Sequence, residues 1–162
     1  THIIAALEKL EAYEAVEPIK RLLISTHKDD LKVWLSFFLN GWIGEPRLDQ
    51  CLELCRKGME EGTSVEKSQI MRYARRFDEK IALELFWMGL RDMRFDVRAS
   101  AFRNLRIYCG IQSDKALDVE ADFYPELTAY VSDAVFDNKA LFEQRLSELR
   151  SRVAQWRMYK KT

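Results

Sequence analysis

An all-α fold, assembled from helix pairs stacked in series, is what this sequence predicts, and three observations lead to it. The pattern Val-x-x-Ser recurs every 32 residues, as Val33/Ser36, Val65/Ser68 and Val97/Ser100, a period in the range of stacked helical repeats. At twice that interval Phe38, Asn40 and Ile43 match Phe102, Asn104 and Ile107, and both copies end on a glycine suited to a helix C-cap, Gly44 and Gly110. Composition agrees: 48% apolar and 32% charged residues, with six Gly and three Pro in 162, favour helix over a β-sandwich or disorder.

Taken in order, Ile3, Ile4, Leu7 and Leu10 make one helical stripe over 2–12. A second helix is expected over 14–25, with Val16, Ile19, Leu22 and Leu23 inward and Pro18 in an early turn, where a missing N–H costs least. After the polar break 25–30, residues 31–43 are apolar on most sides (Val33, Trp34, Phe37, Phe38, Trp42, Ile43), as suits a helix between neighbours. Pro46 opens a helix over 47–60, and 62–64 stop it and cap the next, with Lys67 at the position a capping box reserves for Glu or Gln. Helices over 65–77 and 79–91 come next, and Asp96 is expected to cap one over 97–109. The acidic stretch 111–122 reads as a long loop or a short helical turn, Pro125 as the start of a helix over 125–136, and Asn138 as the cap of a long last helix over 139–160. Phe142, Leu146, Leu149, Val153 and Trp156 give that helix a 4-3-4-3 seam, which wants one narrow apolar groove and leaves a polar back.

Asp96-Val97-Arg98-Ala99-Ser100-Ala101 resembles the Asp-x-Val-Arg-x-x-Ala start of the first helix in HEAT-like repeats, and residues 15–23, Pro18 included, resemble that family's second helix. The resemblance covers about 1–136, and it implies a right-handed stack of about four antiparallel helix pairs forming one α-solenoid domain. The pairs would fall at about 1–26, 29–61, 64–92 and 96–136, with a capping helix over 138–160. Glu66 after Val65, where the family has Arg, and the loop 111–122 depart from the pattern. A HEAT-like build implies a scaffold whose second helices line a binding face.

Charge balances overall at 26 basic and 26 acidic residues, so nothing global advertises nucleic acid or a membrane. Locally it does not balance. Residues 67–107 hold ten basic groups against five acidic, and 108–137 hold seven acids against Lys115 alone. The acids Asp114, Asp118, Glu120, Asp122, Glu126, Asp133 and Asp137 read either as a solvated face or as a docking patch for a basic protein, such as a toxin or nuclease domain that this chain neutralises. Arg72, Arg75, Arg76, Arg91, Arg94 and Arg98 read either as salt-bridged faces or as a phosphate-binding stripe for nucleic acid. Trp34, Trp42, Trp87 and Trp156 read as packing residues or as interface anchors.

Catalytic chemistry has little to stand on. With two histidines and three cysteines, the i, i+4 pair Cys51/Cys55 lacks the second ligand pair that zinc needs, and buried structural thiols are the expectation. No HExxH, phosphate-binding Gly-rich loop or nucleophile elbow is present. The expectation is a non-enzymatic, cofactor-free, cytoplasmic protein-binding module, with no apolar run long enough to cross a membrane.

Overall fold

The structure, a computed structural model, describes residues 13–15, 18, 21, 48–75, 77–111 and 123–160. The expected helices over 2–12 and 31–43, most of 14–25, Gly44, Trp34 and Trp42 lie outside the described residues. A short 3-10 turn covers Tyr13–Ala15. The helices are α1 (Leu48–Glu61), α2 (Ser64–Ala74), α3 (Glu79–Leu90), α4 (Phe95–Tyr108), α5 (Phe123–Val131), α6 (Asp133–Asp137) and α7 (Lys139–Lys160), and no strand occurs among the described residues. The protein is all-α.

Several helix ends differ from expectation, each for an identifiable reason. α2 has the full capping box. Its cap is Thr63, whose hydroxyl accepts from the Glu66 N–H while the Glu66 carboxylate accepts from the Thr63 N–H. Taking Ser64 as the cap puts Lys67 where Glu66 belongs, so the error is one residue of register. Asp96 does not cap α4. It lies inside the first turn, and the Arg94 N–H at the cap position donates instead to the carboxylate of Asp92. The helix expected over 125–136 is broken at Ser132, whose hydroxyl accepts from the Val135 N–H and so starts α6. Asp78 and Asn138 do cap α3 and α7, accepting from the N–H groups of Ile81 and Leu141. Gly110 ends α4 as expected, at φ 76°. The N–H groups of Gly110 and Ile111 donate to the carbonyls of Ile107 and Arg106, the paired bonds of a Schellman motif.

α1 packs on α2 and α3, α2 on α3 and α4, and α3 on α4; α4 packs on α5, which with α6 receives α7. Directions alternate. The C-termini of α1 and α3 meet the N-termini of α2 and α4 around Asp92, which Lys67 and Arg94 both reach. The C-terminus of α5 meets the start of α4 at Arg98. α7 runs antiparallel to α3. Its Glu143, Arg150 and Arg157 meet Arg91, Trp87 and Glu79 in that order, so numbering rises on one helix as it falls on the other.

The core between these helices is built from Ile70, Met71, Ala74, Leu85, Phe86, Leu90, Val97, Ala101, Phe102 and Leu105, all buried. α3 approaches its neighbours closely at Gly89, where an added Cβ would stand 2.9 Å from the Ala101 Cβ and 2.3 Å from the Met71 sulfur. The expected seam on α7 holds. Phe142, Leu146, Leu149 and Val153 are buried and Trp156 half-buried.

The 32-residue rhythm does not mark equivalent positions in the described copies. Val97 is fully buried, but Val65 is 70% exposed. α2 and α4 superpose in pattern at an interval of 31: Lys67, Ile70, Met71 and Ala74 are buried, and so are Arg98, Ala101, Phe102 and Leu105. Burial on the inner face, set by the helical 3.6-residue period from each cap, decides equivalence more than residue identity does.

Candidate functional site

The 31-residue offset pairs two buried cations, and these organise one end of the molecule. Lys67 donates to the Glu60 carbonyl in the last turn of α1 (3.3 Å) and to the Asp92 carboxylate (2.5 Å). Arg98 does the equivalent work one helix pair later. Its Nη1 donates to the carbonyls of Asp92 and Met93 (2.9 and 2.8 Å), its Nε to the Val131 carbonyl (2.9 Å), and its Nη2 to the Asp133 carboxylate. Each cation thus satisfies carbonyls left over where the preceding helix ends, and each takes a carboxylate from the following turn. The Arg98 guanidinium also lies 4.2 Å from the Phe136 ring centroid and 5.8 Å from that of Phe95.

Asp92 is the shared acid of this end. Burial pushes its carboxyl up, but hydrogen bonds from Arg94 and Lys67 outweigh that and hold it at about 2. Arg94 also donates to the Gly62 carbonyl at 3.0 Å, tying the α1–α2 and α3–α4 turns together.

The opposite end has its own network. Arg106 is fully buried and donates to Glu126, whose other oxygen accepts from Arg152 at 2.6 Å. Arg152 donates as well to the Tyr130 hydroxyl at 3.2 Å.

These networks settle where the charged candidates sit. Glu126 is consumed between Arg106 and Arg152 rather than displayed. Asp133 binds Arg98, yet its side chain stays 71% exposed while the arginine is wholly buried, so the pair turns its negative half to solvent. Asp137 is exposed at the end of α6. Asp114, Asp118, Glu120 and Asp122 lie outside the described residues.

Of the arginines, Arg98 is buried and has no route to a phosphate in this fold. Arg94 is bound to Asp92, and Arg91 makes a two-pronged pair with Glu143. Arg75 donates to the Arg72 carbonyl, Arg72 itself is exposed, and Arg76 is outside the described residues. Among the described ones, Arg98 caps carbonyls inside, while Arg91 and Arg94 pair with carboxylates outside.

Cys55 and Cys109 are buried, and the Cys51 side chain is outside the described set. No group of three or more His, Cys, Asp or Glu side chains is placed to hold a metal among the described residues, and none of the helices there is long and apolar enough to cross a membrane. Trp87 and Trp156 are half-buried, each beneath an arginine, Arg150 and Arg152. Sequence reasoning missed Lys67 and Asp92 as organising residues. For Asp92 the available signal was an aspartate two residues past a helix end, with Arg98 six residues later on the inner face of the next helix; Lys67 has no such local signal.

No family model matches the chain, and no curated protein or solved structure matches it.

Proposed function

We propose that this chain is a non-enzymatic protein-binding module built as a HEAT-like α-solenoid, with α7 as its terminal cap. Alternating helices, several of which touch neighbours both one and two places along, support the serial stack. So does the cation that recurs after 31 residues with the same carbonyl-capping job. The packing of α7 on α5 and α6 fits a cap on the last pair. The concrete form of the proposal is an immunity-type protein that neutralises a basic toxin or nuclease domain in the cytoplasm, by covering its active surface and matching its charge.

The observation that carries this reading is the division of charge around α6. Asp133 and Asp137 face outward on a rigid frame, while Arg98 lies inside and Arg94 is spent on Asp92. Such a surface steers a basic partner and repels nucleic acid. Nucleic-acid binding through 72–106 is the weaker reading, because three of its six arginines are buried or ion-paired.

The test pairs this chain with the product of a neighbouring toxin reading frame and measures association by stopped flow against ionic strength. Wild type associates fast at low salt and slows as salt rises. Replacing Asp114, Asp118, Glu120 and Asp122 by Ser lowers that rate and flattens its salt dependence. Unchanged kinetics in that variant would remove those four acids from the account, and unchanged kinetics on Asp137→Lys as well would remove the acidic surface. A shift of labelled DNA or RNA by the chain, lost steeply between low and moderate salt, would favour the rival.

A further inference from the structure

The α3–α4 turn carries Met93, 85% exposed, and beyond Arg94 comes Phe95, 42% exposed. Single apolar residues on a surface are ordinary, but the backbone that carries these two is tied down. The Met93 carbonyl is held by Arg98 at 2.8 Å, and the same guanidinium lies against the Phe95 and Phe136 rings. Arg94, between them, anchors the turn to Asp92 and to the Gly62 carbonyl. A turn whose backbone is held by part-buried hydrogen bonds loses little backbone freedom when something settles on it.

Around it the exposed groups are acidic. Asp96 succeeds Phe95 and is exposed, Asp133 shares the Arg98 guanidinium, and Asp137 stands one turn further along α6. The nearby arginines are committed, Arg98 inside, Arg94 to Asp92 and Arg91 to Glu143, which leaves Lys139 as the exposed cation nearest in sequence to these acids.

Resting on the protein-binding reading above, we infer that this turn is the anchor point of the interface. Its occupant is a segment of another protein that inserts an apolar side chain beside Met93 and Phe95 and places Lys or Arg against Asp96, Asp133 and Asp137. A second copy of this chain would set these acids against one another, and a nucleic acid would set phosphates against them. Both are disfavoured by like charge.

The experiment pans a random 12-residue peptide library, displayed on phage, against the intact chain, and measures selected peptides by fluorescence anisotropy. Enriched peptides should combine Lys or Arg with Leu, Phe or Trp. They should weaken by about tenfold or more on Met93→Ser and on Asp137→Lys. Both side chains are exposed and make none of the network's hydrogen bonds, so the variants should unfold at the wild-type midpoint, checked by circular dichroism. Amide shifts on binding should gather at 91–98 and 131–138. Peptides lacking that composition, or binding that Met93→Ser and Asp137→Lys leave unchanged, would overturn the inference. If the four-Ser variant of Asp114, Asp118, Glu120 and Asp122 abolishes binding while Met93→Ser does not, the protein-binding reading stands and this location falls. Sedimentation showing a dimer that Met93→Ser dissolves would also overturn it, by making the occupant a second copy.

Discussion

α4 and α7 both border the core, and they hold to it by opposite means. α7 does so through an unbroken apolar seam, Phe142, Leu146, Leu149 and Val153, with its charges beside or outside the seam and none of the described ones buried. α4 buries Val97, Ala101, Phe102 and Leu105, but also two whole arginines, Arg98 and Arg106. The seam gains free energy by removing methylene groups from water, a term that depends on shape but not on direction. The buried arginines gain only while every donor is matched, because an unmatched charge or carbonyl in the interior costs more than the bond returned. α7 is therefore held by many interchangeable contacts. α4 is held by a few that fail together.

The largest expected effect tests that difference directly. Arg98→Ala strips a bond from the carbonyls of Asp92, Met93 and Val131 and leaves Asp133 without its partner. It should cost about 3–5 kcal/mol in urea unfolding. Arg98→Lys should recover little, since a point charge does not reproduce a fork that serves several acceptors. Leu149→Ala on α7 should cost somewhat less, about 2–4 kcal/mol, and how far the seam closes over the gap sets the value. If Arg98→Ala proved the milder of the two, the contrast between the helices would be lost.

The same contrast explains how much of the fold is legible in the sequence. The α7 seam, its Asn138 cap and the Gly110 stop are readable because each depends on local spacing or on one residue's backbone preference. The break at Ser132 is not, since its cause is spread over three elements: Arg98 on α4 takes the Val131 carbonyl at the end of α5 and the Asp133 carboxylate, while Ser132 caps α6. Arg98 itself reads in sequence as a surface cation or a phosphate ligand. An arginine is buried only when carbonyls from other helices converge on it, and one-dimensional spacing does not report convergence. The acidic run is legible as composition, but which of its described acids are displayed depends on geometry, which withdraws Glu126 and leaves Asp133 and Asp137.

Acid titration sharpens the comparison next. The Asp92 carboxyl lies at about 2 in the folded protein against an ordinary 3.8. A depressed carboxylate contributes stability that is complete above the ordinary value and disappears as pH falls through the folded one. Between pH ~4 and ~2 the protein should therefore lose about 2 kcal/mol through Asp92 alone. Glu84 and Glu143, held below the usual carboxylate range by Arg56 and Arg91, add to the same slope. Asp92→Asn should be less stable at neutral pH and should show a shallower loss over that window. A variant with the wild-type slope would mean that Lys67 and Arg94 do not hold this carboxylate as the structure has them.

The smallest effect belongs on the outer side of α7, where the charges that bind it to α3 are half in water. Arg150 lies over Trp87 with its guanidinium carbon 5.3 Å from the ring centroid. A cation–π contact at so exposed a place is worth about 0.5–1 kcal/mol, and Arg150→Ala should cost no more than that. Its clearer signature is local: Trp87 emission should change when the arginine leaves, while the seam keeps α7 docked and the unfolding midpoint nearly still. A loss comparable to that of Leu149→Ala would show that α7 depends on its charged straps as α4 depends on its arginines. The two helices would then differ in degree rather than in kind, because the apolar seam alone would not suffice to hold α7 against its neighbours.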